Sequence, residues 1–521
     1  MANDEPVESW KRIPRVAVGM PGNPDEIGSQ SPTLYVRDTV LVSYSSTENR
    51  DPTDVLAEVA GHFGWLLDRS SRDDRLPISV RYPDPYDEDA ESERIVERVF
   101  LVATGDSVAP IVDAAAFVRT FRATRSDDNA VDVQLEHVLA IGTSLTPFMS
   151  PFMSPFMSPF MSPFMSPFMS GGSPAGIYAV PGAGGRMPVA YVGPAPVRHP
   201  DDGIDGRRVR VAILDTGCGA HDWLGFVAKG VDQNPIIGID DPATDPEVHP
   251  DLLGPLDGQM DPVVGHGTFI TGLVHQEAPD ADILTARVLH ADGIVYEADV
   301  LAALSALLEY VRADEANHVD VLNLSLGFYH EEEPGFTSSI RDVLAALRRT
   351  GVVVVASAGN DATNRPCYPA AFSLDPDEQS WTPMISVGAQ NPNGTQALFS
   401  NTGHWVNTWV CGAAVVSTMP EFDAGAIPLA RRQAAGSMQA RETLDPDDFL
   451  GGFGVWSGTS FAAPIVAGRI AAALSESASL RTGDDRIATV RDAVDRVRAA
   501  ITAENDALHA KSIRSRRNTP R

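Results

Sequence analysis

Cysteine is scarce: Cys218, Cys367 and Cys411 are the only three in 521 residues. They are odd in number, far apart and in no zinc or redox spacing, which excludes a disulfide framework and a cysteine-based metal motif. Positive charge is short as well, with 40 Lys and Arg against 70 Asp and Glu for a net charge of −30. That balance argues against nucleic acid or an anionic membrane as partner, because phosphate binding needs clustered cations. No run approaches the roughly 18 apolar residues of a membrane span. The opening "MANDEPVESWKRIPRVAVGM" lacks the basic tip and apolar core of a secretory leader. The expectation is a cytoplasmic protein. What the chain does have is a hydrophobic content of 43%, enough for a real core, and a length that suits two or three domains.

After an N-terminal arm, residues 1–33, segments of alternating type run over 34–146. "TLYVRDTVLVSY", "LPISVRY", "ERVFLVATG" and "VDVQLEHVLAIG" read as strands, while "DPTDVLAEVAGHFGWLL" and "VAPIVDAAAFVRTFRA" read as helices. The order βαββαβ is that of an α+β ferredoxin-like domain. Residues 147–204 form a linker that opens with "PFMS" six times over. Proline at every fourth position forbids a helix, and an extended tether of roughly 75 Å is expected at about 3.1 Å per residue. Its repeated Phe and Met leave open a second reading, a segment that docks in a groove.

Residues 205–480 are patterned as α/β, followed by a C-terminal helix and basic tail over 481–521. "RRVRVAILDTG", "ADILTARVL", "VDVLNLSLG", "GVVVVASAGN" and "MISVGAQ" are short apolar runs suited to parallel strands buried on both faces. In "YEADVLAALSALLEYVR", Val300, Leu304, Leu307, Leu308 and Val311 fall on one helix face. Such sheets carry their sites outside the carboxyl ends of the strands. That rule picks out Asp215 after "VAIL" and Asn360 after "VVVVASAG", joined by His266 and Ser460 at the starts of helix-like runs. Singly, each has a plain structural role: a cap, a turn, a buried imidazole. Together they fit one reaction. A serine needs a base to take its proton, the base needs a carboxylate to hold its tautomer, and the resulting oxyanion needs preplaced donors.

"AILDTG", "GHGTFITG", "SAGN" and "GTSFAAP" resemble, in that order, the signature blocks of the subtilisin-like serine proteases, the subtilases or peptidase family S8. The resemblance covers about residues 205–480 and implies a three-layer α/β domain with a parallel sheet. It implies that Asp215 orients, His266 acts as base and then acid, Ser460 attacks, and Asn360 donates to the oxyanion. It further implies that Ser325, Leu326 and Gly327 of "NLSLG" pair with an extended substrate. Ala358 and Gly359 would line the cleft, and Cys367 of "PCYPAAF" would floor the side-chain pocket. A thiol there should favour small to medium apolar residues.

The activity implied is a serine endopeptidase acting on polypeptides, with no cofactor required and no metal ligands assigned. The acidic run "GIDDPATDPEVHPDLLGPLDGQMDP" matches no defensible calcium spacing, although many relatives hold structural calcium. A solvated loop is expected there. His221 is expected at the surface. The N-terminal domain resembles family prodomains that act as intramolecular inhibitors, and a separate recognition module stays open beside that reading. Two rivals to the enzyme are a catalytically inactive scaffold that holds peptides and a regulatory protein that works through its N-terminal domain.

Overall fold

The computed structural model describes residues 16–19, 33–45, 51–69, 77–83, 91–103, 111–124, 131–141, 186–190, 193–201, 207–253, 260–331, 338–375, 380–422, 431–433, 440–442, 449–476 and 486–517. The PFMS repeat lies outside the described residues.

The N-terminal unit holds strands β1 (Val16–Gly19), β2 (Thr33–Ser45), β3 (Trp65–Asp68), β4 (Ile78–Pro83), β5 (Glu91–Ala103) and β6 (Val131–Ala140). Helices α1 (Thr53–Phe63) and α2 (Ala114–Thr124) complete it. Its long strands are antiparallel in the order β6-β2-β5-β3, with β1 on β2 and β4 on β5. The period-2 alternation of strands sorts their side chains to two faces. Val40, Val42, Val99, Leu101, Val133 and Leu135 pack with Leu56, Phe117 and Phe121 of the helices. Leu41 points the other way, onto Ala298. The helix expected through Leu67 stops at Phe63, because Gly64 turns left-handed at φ 69° and returns its N–H to Ala60 O and Gly61 O. Trp65 then starts a strand. The arm also contributes more than expected, since β1 lies within it.

In the second unit, β7 (Met187–Pro188) precedes β8 (Arg210–Asp215), β9 (Ala228–Lys229), β10 (Asp282–Arg287), β11 (Ile294–Tyr296), β12 (Val321–Leu324), β13 (Val353–Ser357), β14 (Met384–Gln390) and β15 (Thr408–Cys411). Seven of them form a parallel sheet in the order β15-β14-β13-β12-β8-β10-β9. The chain then adds β16 (Val415–Thr418), a hairpin of β17 (Arg431–Gln433) and β18 (Ala440–Glu442), and β19 (Phe453–Trp456). The helices are α3 (His266–Glu277), α4 (Glu297–Ala313), α5 (Ser339–Arg349), α6 (Thr459–Ser475) and α7 (Arg486–Arg517). Every residue of β12, β13 and β14 is buried, as a sheet covered on both faces demands. Val300, Leu304, Leu307, Leu308 and Val311 of α4 and Ile340, Val343, Leu344 and Leu347 of α5 pack in one core cluster. Residues of α3 and α6 pack in another, with Val211, Ile213, Val353 and Val355 of the sheet.

Two boundaries move. Val490, Val494, Val497 and Ile501 of α7 share the core of α6, and Arg486 and Arg207 both bind the buried Asp320 at 2.7 Å. The division expected at 480 therefore cuts through one core. At the other end, β7 pairs with β19, so the chain has joined this unit by residue 187 rather than 205. No helix among the described residues is long and apolar enough to cross a membrane.

The two units meet along β6. Ala140 exchanges both backbone bonds with Gly327, each 2.9 Å. On its other side β6 pairs antiparallel with β11, and Ile141 N donates to Gly293 O at 3.2 Å. Leu139 and Ile141 are buried in the same cluster as Leu326 and Phe328.

Candidate active site

The expected residues gather at the carboxyl rim of the sheet. Asp215 is the last residue of β8 and is fully buried. Its Oδ1 accepts from Thr216 N at 2.8 Å and from His266 Nδ1 at 2.7 Å. A carboxylate can only accept, so Nδ1 carries a proton, and Nε2 is the nitrogen that bears the lone pair in the neutral imidazole. Nε2 has no hydrogen-bond partner among the described residues. His266 starts α3, where Gly265 caps at φ 78°. Gly267 next to it has no room for a side chain, because an added Cβ would lie 2.1 Å from Gly217 O. The first turn of α3 thereby sits directly on the turn after β8, which brings the imidazole to the carboxylate.

Ser460 is the second residue of α6 and 1% exposed. Its hydroxyl is not bonded to His266; Oγ makes a long 3.4 Å contact to Ser325 O instead. The first turn of α6 nonetheless packs on the imidazole, because Phe461, the next residue, sets its ring 5.1 Å from that of His266, and Trp456 closes edge-on at 5.6 Å. Pro464 explains a further link. It has no N–H for the carbonyl four residues back, which is Ser460 O. Ser325 Oγ supplies the missing donor at 2.9 Å. The cleft segment and the start of α6 are therefore tied by side chain and backbone.

Asn360 follows β13. Its Oδ1 accepts from Thr459 N and Thr459 Oγ1, both at 2.8 Å. That clamp turns the Nδ2 end toward Gly458, where an added Cβ would lie 3.4 Å from it. Asn401 braces the turn: its Nδ2 donates to Ala358 O at 2.9 Å and its Oδ1 accepts from Asp361 N at 3.0 Å. Gly359, at φ 98°, gives its N–H to Thr459 Oγ1 at 3.0 Å. Cys367 is buried between glycines, with Sγ 2.6 Å from a Cβ built on Gly327 and 3.5 Å from one built on Gly359. Burial, with Asp361 nearby, pushes its thiol well above the ordinary range, which makes it a wall rather than a nucleophile. Ser325, Leu326 and Gly327 continue β12 beyond the sheet, and Gly327 carries the pairing to Ala140.

Sequence reasoning missed one group. Glu247, inside the acidic run expected to be solvated, is 1% exposed behind the Asp215–His266 pair. Its oxygens accept from Gly267 N at 3.0 Å, from Thr268 Oγ1 at 2.6 Å and from Thr216 Oγ1. Thr216 and Gly267 flank the pair directly. Nothing in local spacing separates Glu247 from its acidic neighbours, so only the fold could single it out. Asp261 is buried too, accepting from Leu252 N at 2.8 Å and Leu253 N at 3.1 Å. His221 is half-buried rather than at the surface, with Nε2 2.9 Å from Gly452 O.

Burial pushes the Glu247 carboxyl up to about 7 from an ordinary 4.5. The native chain therefore holds a proton that the unfolded chain gives up between those values, so this group's contribution to stability is full below pH 4.5 and lost as pH rises through 7. The full loss is on the order of 3 kcal/mol. Glu247→Gln should erase that slope: the stability difference between variant and wild type, from denaturant melts, should shift toward the variant from pH 4.5 to 8. A constant difference would mean the carboxyl does not titrate there.

A sequence profile of the subtilase family (peptidase S8) matches residues 206–510. Subtilisin BL of Lederbergia lenta is 28% identical over 235 residues, 43% of this chain and 71% of that protein. An intracellular serine protease of Paenibacillus polymyxa is 27% identical over 284 residues, 51% of this chain and 66% of that protein. The minor extracellular protease Epr of Bacillus subtilis (strain 168) is 26% identical over 226 residues, 42% of this chain and 28% of that protein. The matched part thus spans between 28% and 71% of these relatives' length.

Proposed function

The chain belongs to the subtilase family, and we propose that it is a serine endopeptidase with Ser460 as nucleophile, His266 as general base and Asp215 as the orienting acid. The observation that carries this reading is the buried 2.7 Å contact between Asp215 and His266, with the turn that bears Ser460 packed against the same imidazole. In the reaction Ser460 exchanges its long contact with Ser325 O for one with Nε2, attacks the scissile carbonyl and passes its proton to His266; contacts of this kind tighten only around substrate. His266 then protonates the leaving amine, and water, activated the same way, releases the acyl group. Asn360 Nδ2 and the Ser460 N–H at the start of α6 stabilise the oxyanion, where the helix dipole adds to them. This chemistry calls on no cofactor. A fluorophosphonate probe should label the active form at Ser460, mapped by mass spectrometry; labelling elsewhere, or none in a chain that hydrolyses peptides, would overturn the assignment.

Substrate joins the cleft as a strand between Ser325–Gly327 and β11, with its side chains read alternately. Cys367 and the glycines beside it support a neutral, shallow pocket suited to small or medium apolar residues before the cut. The N-terminal unit is an intramolecular inhibitor on this reading. The support is the end of β6, which pairs with Gly327 and with β11 as an extended peptide would. Ala140→Pro removes the N–H that donates to Gly327 O. An acceptor left without its donor costs about 1–3 kcal/mol, so the hold of the inhibitor should weaken roughly 5- to 150-fold. Freshly folded Ala140→Pro chain should cleave a small peptide faster than wild type with no lag; equal initial rates would remove the inhibitory role.

A further inference from the structure

Between the two units lies a cluster that the proposed chemistry does not use. His137 on β6 faces His330 and Glu331, which follow the cleft segment. The nearest ligand atoms of these three residues all lie within 4.8 Å of one another. His137 Nε2 is 2.8 Å from Glu331 Oε2, and His330 Nε2 is 3.6 Å from the same oxygen. Both imidazoles are buried. We propose that His137, His330 and Glu331 form a zinc site that clamps the N-terminal unit onto the second unit.

The geometry points to zinc on three grounds. Zinc bonds to nitrogen and oxygen are about 2.0–2.1 Å, which sets tetrahedral ligands about 3.4 Å apart. The 2.8 and 3.6 Å spacings to Glu331 Oε2 lie on either side of that value, and with all three ligand atoms within 4.8 Å of one another the set would draw together around the ion. The donor set is also selective: two imidazoles and one carboxylate suit zinc, whereas calcium and magnesium seek oxygen ligands. Finally, the ligands are braced. His137 Nδ1 donates to Glu297 Oε2 at 2.6 Å, the carboxylate–histidine arrangement that supports metal-bound imidazoles. Glu297 is in turn held by Gln134 Nε2 and His137 N, each at 3.2 Å.

Glu331 divides its oxygens between two tasks. Oε1 lies 3.8 Å from the Arg122 guanidinium, and Oε2 faces the imidazoles. Its side chain is 23% exposed, which gives the ion a route in and leaves a fourth position for water. Without metal, His137 donates from both ring nitrogens to carboxylates and so carries two protons. Zinc takes the Nε2 lone pair, and that proton leaves to solvent.

Because His137 comes from β6 and the other ligands from the far side of the cleft, a bound ion cross-links the strand that occupies the cleft to its wall. That consequence rests on the inhibitory reading above, whereas the binding itself does not. The test uses full-length Ser460→Ala chain, stripped with EDTA, desalted, and titrated with zinc chloride by calorimetry and with cobalt chloride by absorption. We expect one zinc per chain, visible bands of four-coordinate cobalt, and at least a tenfold loss of zinc affinity in the His330→Gln and Glu331→Gln variants. A thermal melt of each variant checks that it folds, and the cobalt spectrum of the parent chain stands whether or not the variants do. Zinc affinity unchanged in both folded variants, or a cobalt spectrum of the six-coordinate ion, would overturn the site.

Discussion

Ser460→Ala should lower peptide hydrolysis to the level set by binding and oxyanion stabilisation alone, a loss on the order of 10⁶-fold in kcat, as for removal of the nucleophile in subtilisin. The reason is that the proposed acyl-enzyme forms on the Ser460 hydroxyl, and the thiols of Cys367 and Cys218 offer no substitute. Cys367 has its thiol held up by burial, and Cys218 likewise, at about 12. The loss should be purely chemical. Ser460 anchors the cleft through its carbonyl, which accepts from Ser325 Oγ at 2.9 Å and survives the substitution, while the 3.4 Å contact of its hydroxyl is weak. The variant should therefore melt within about 1 kcal/mol of the parent, and single-turnover assays should find no acyl intermediate. Residual hydrolysis within tenfold of wild type would mean that another group does the chemistry, and the proposed mechanism would fail.

The sheet and the four candidate residues were legible because each is written locally. Apolar runs end in Asp215, Leu324 and Ser357 at one rim, and helix starts carry His266 and Ser460. What sequence could not give are contacts made by distant parts of the chain. Glu247 lies 31 residues from Thr216, whose hydroxyl it accepts, and looks like any other acid in its loop. His137 and Glu331 are 194 positions apart. The insertion of Ala140 beside Gly327 is likewise invisible, since any apolar strand end carries the same pattern. Gly64 is the instructive case. Its neighbours Leu66 and Leu67 continue a helical run by period, yet one left-handed residue ends the helix and turns the same side chains into β3. A backbone conformation open to glycine outweighed the periodicity.

Asn360→Ala should reduce kcat by about 10²–10³, as loss of one oxyanion donor does elsewhere, with KM little changed. The interpretation is not automatic, because Asn360 does two things. Nδ2 is the proposed donor, while Oδ1 holds Thr459 N and Oγ1, and with them the turn before Ser460. Two further variants separate these roles. Asn360→Asp keeps an acceptor for Thr459 but replaces the donor with a negative charge facing the developing oxyanion, so it should lose at least as much kcat as the alanine variant. Thr459→Val keeps the donor and breaks the hydroxyl half of the clamp, together with the bond from Gly359 N. It should cost stability, about 1–3 kcal/mol for buried polar partners left unsatisfied, and far less in kcat. If Thr459→Val instead matched Asn360→Ala in kcat while Asn360→Asp stayed near wild type, Asn360 would be a brace for the loop and the oxyanion would have to be held by other donors.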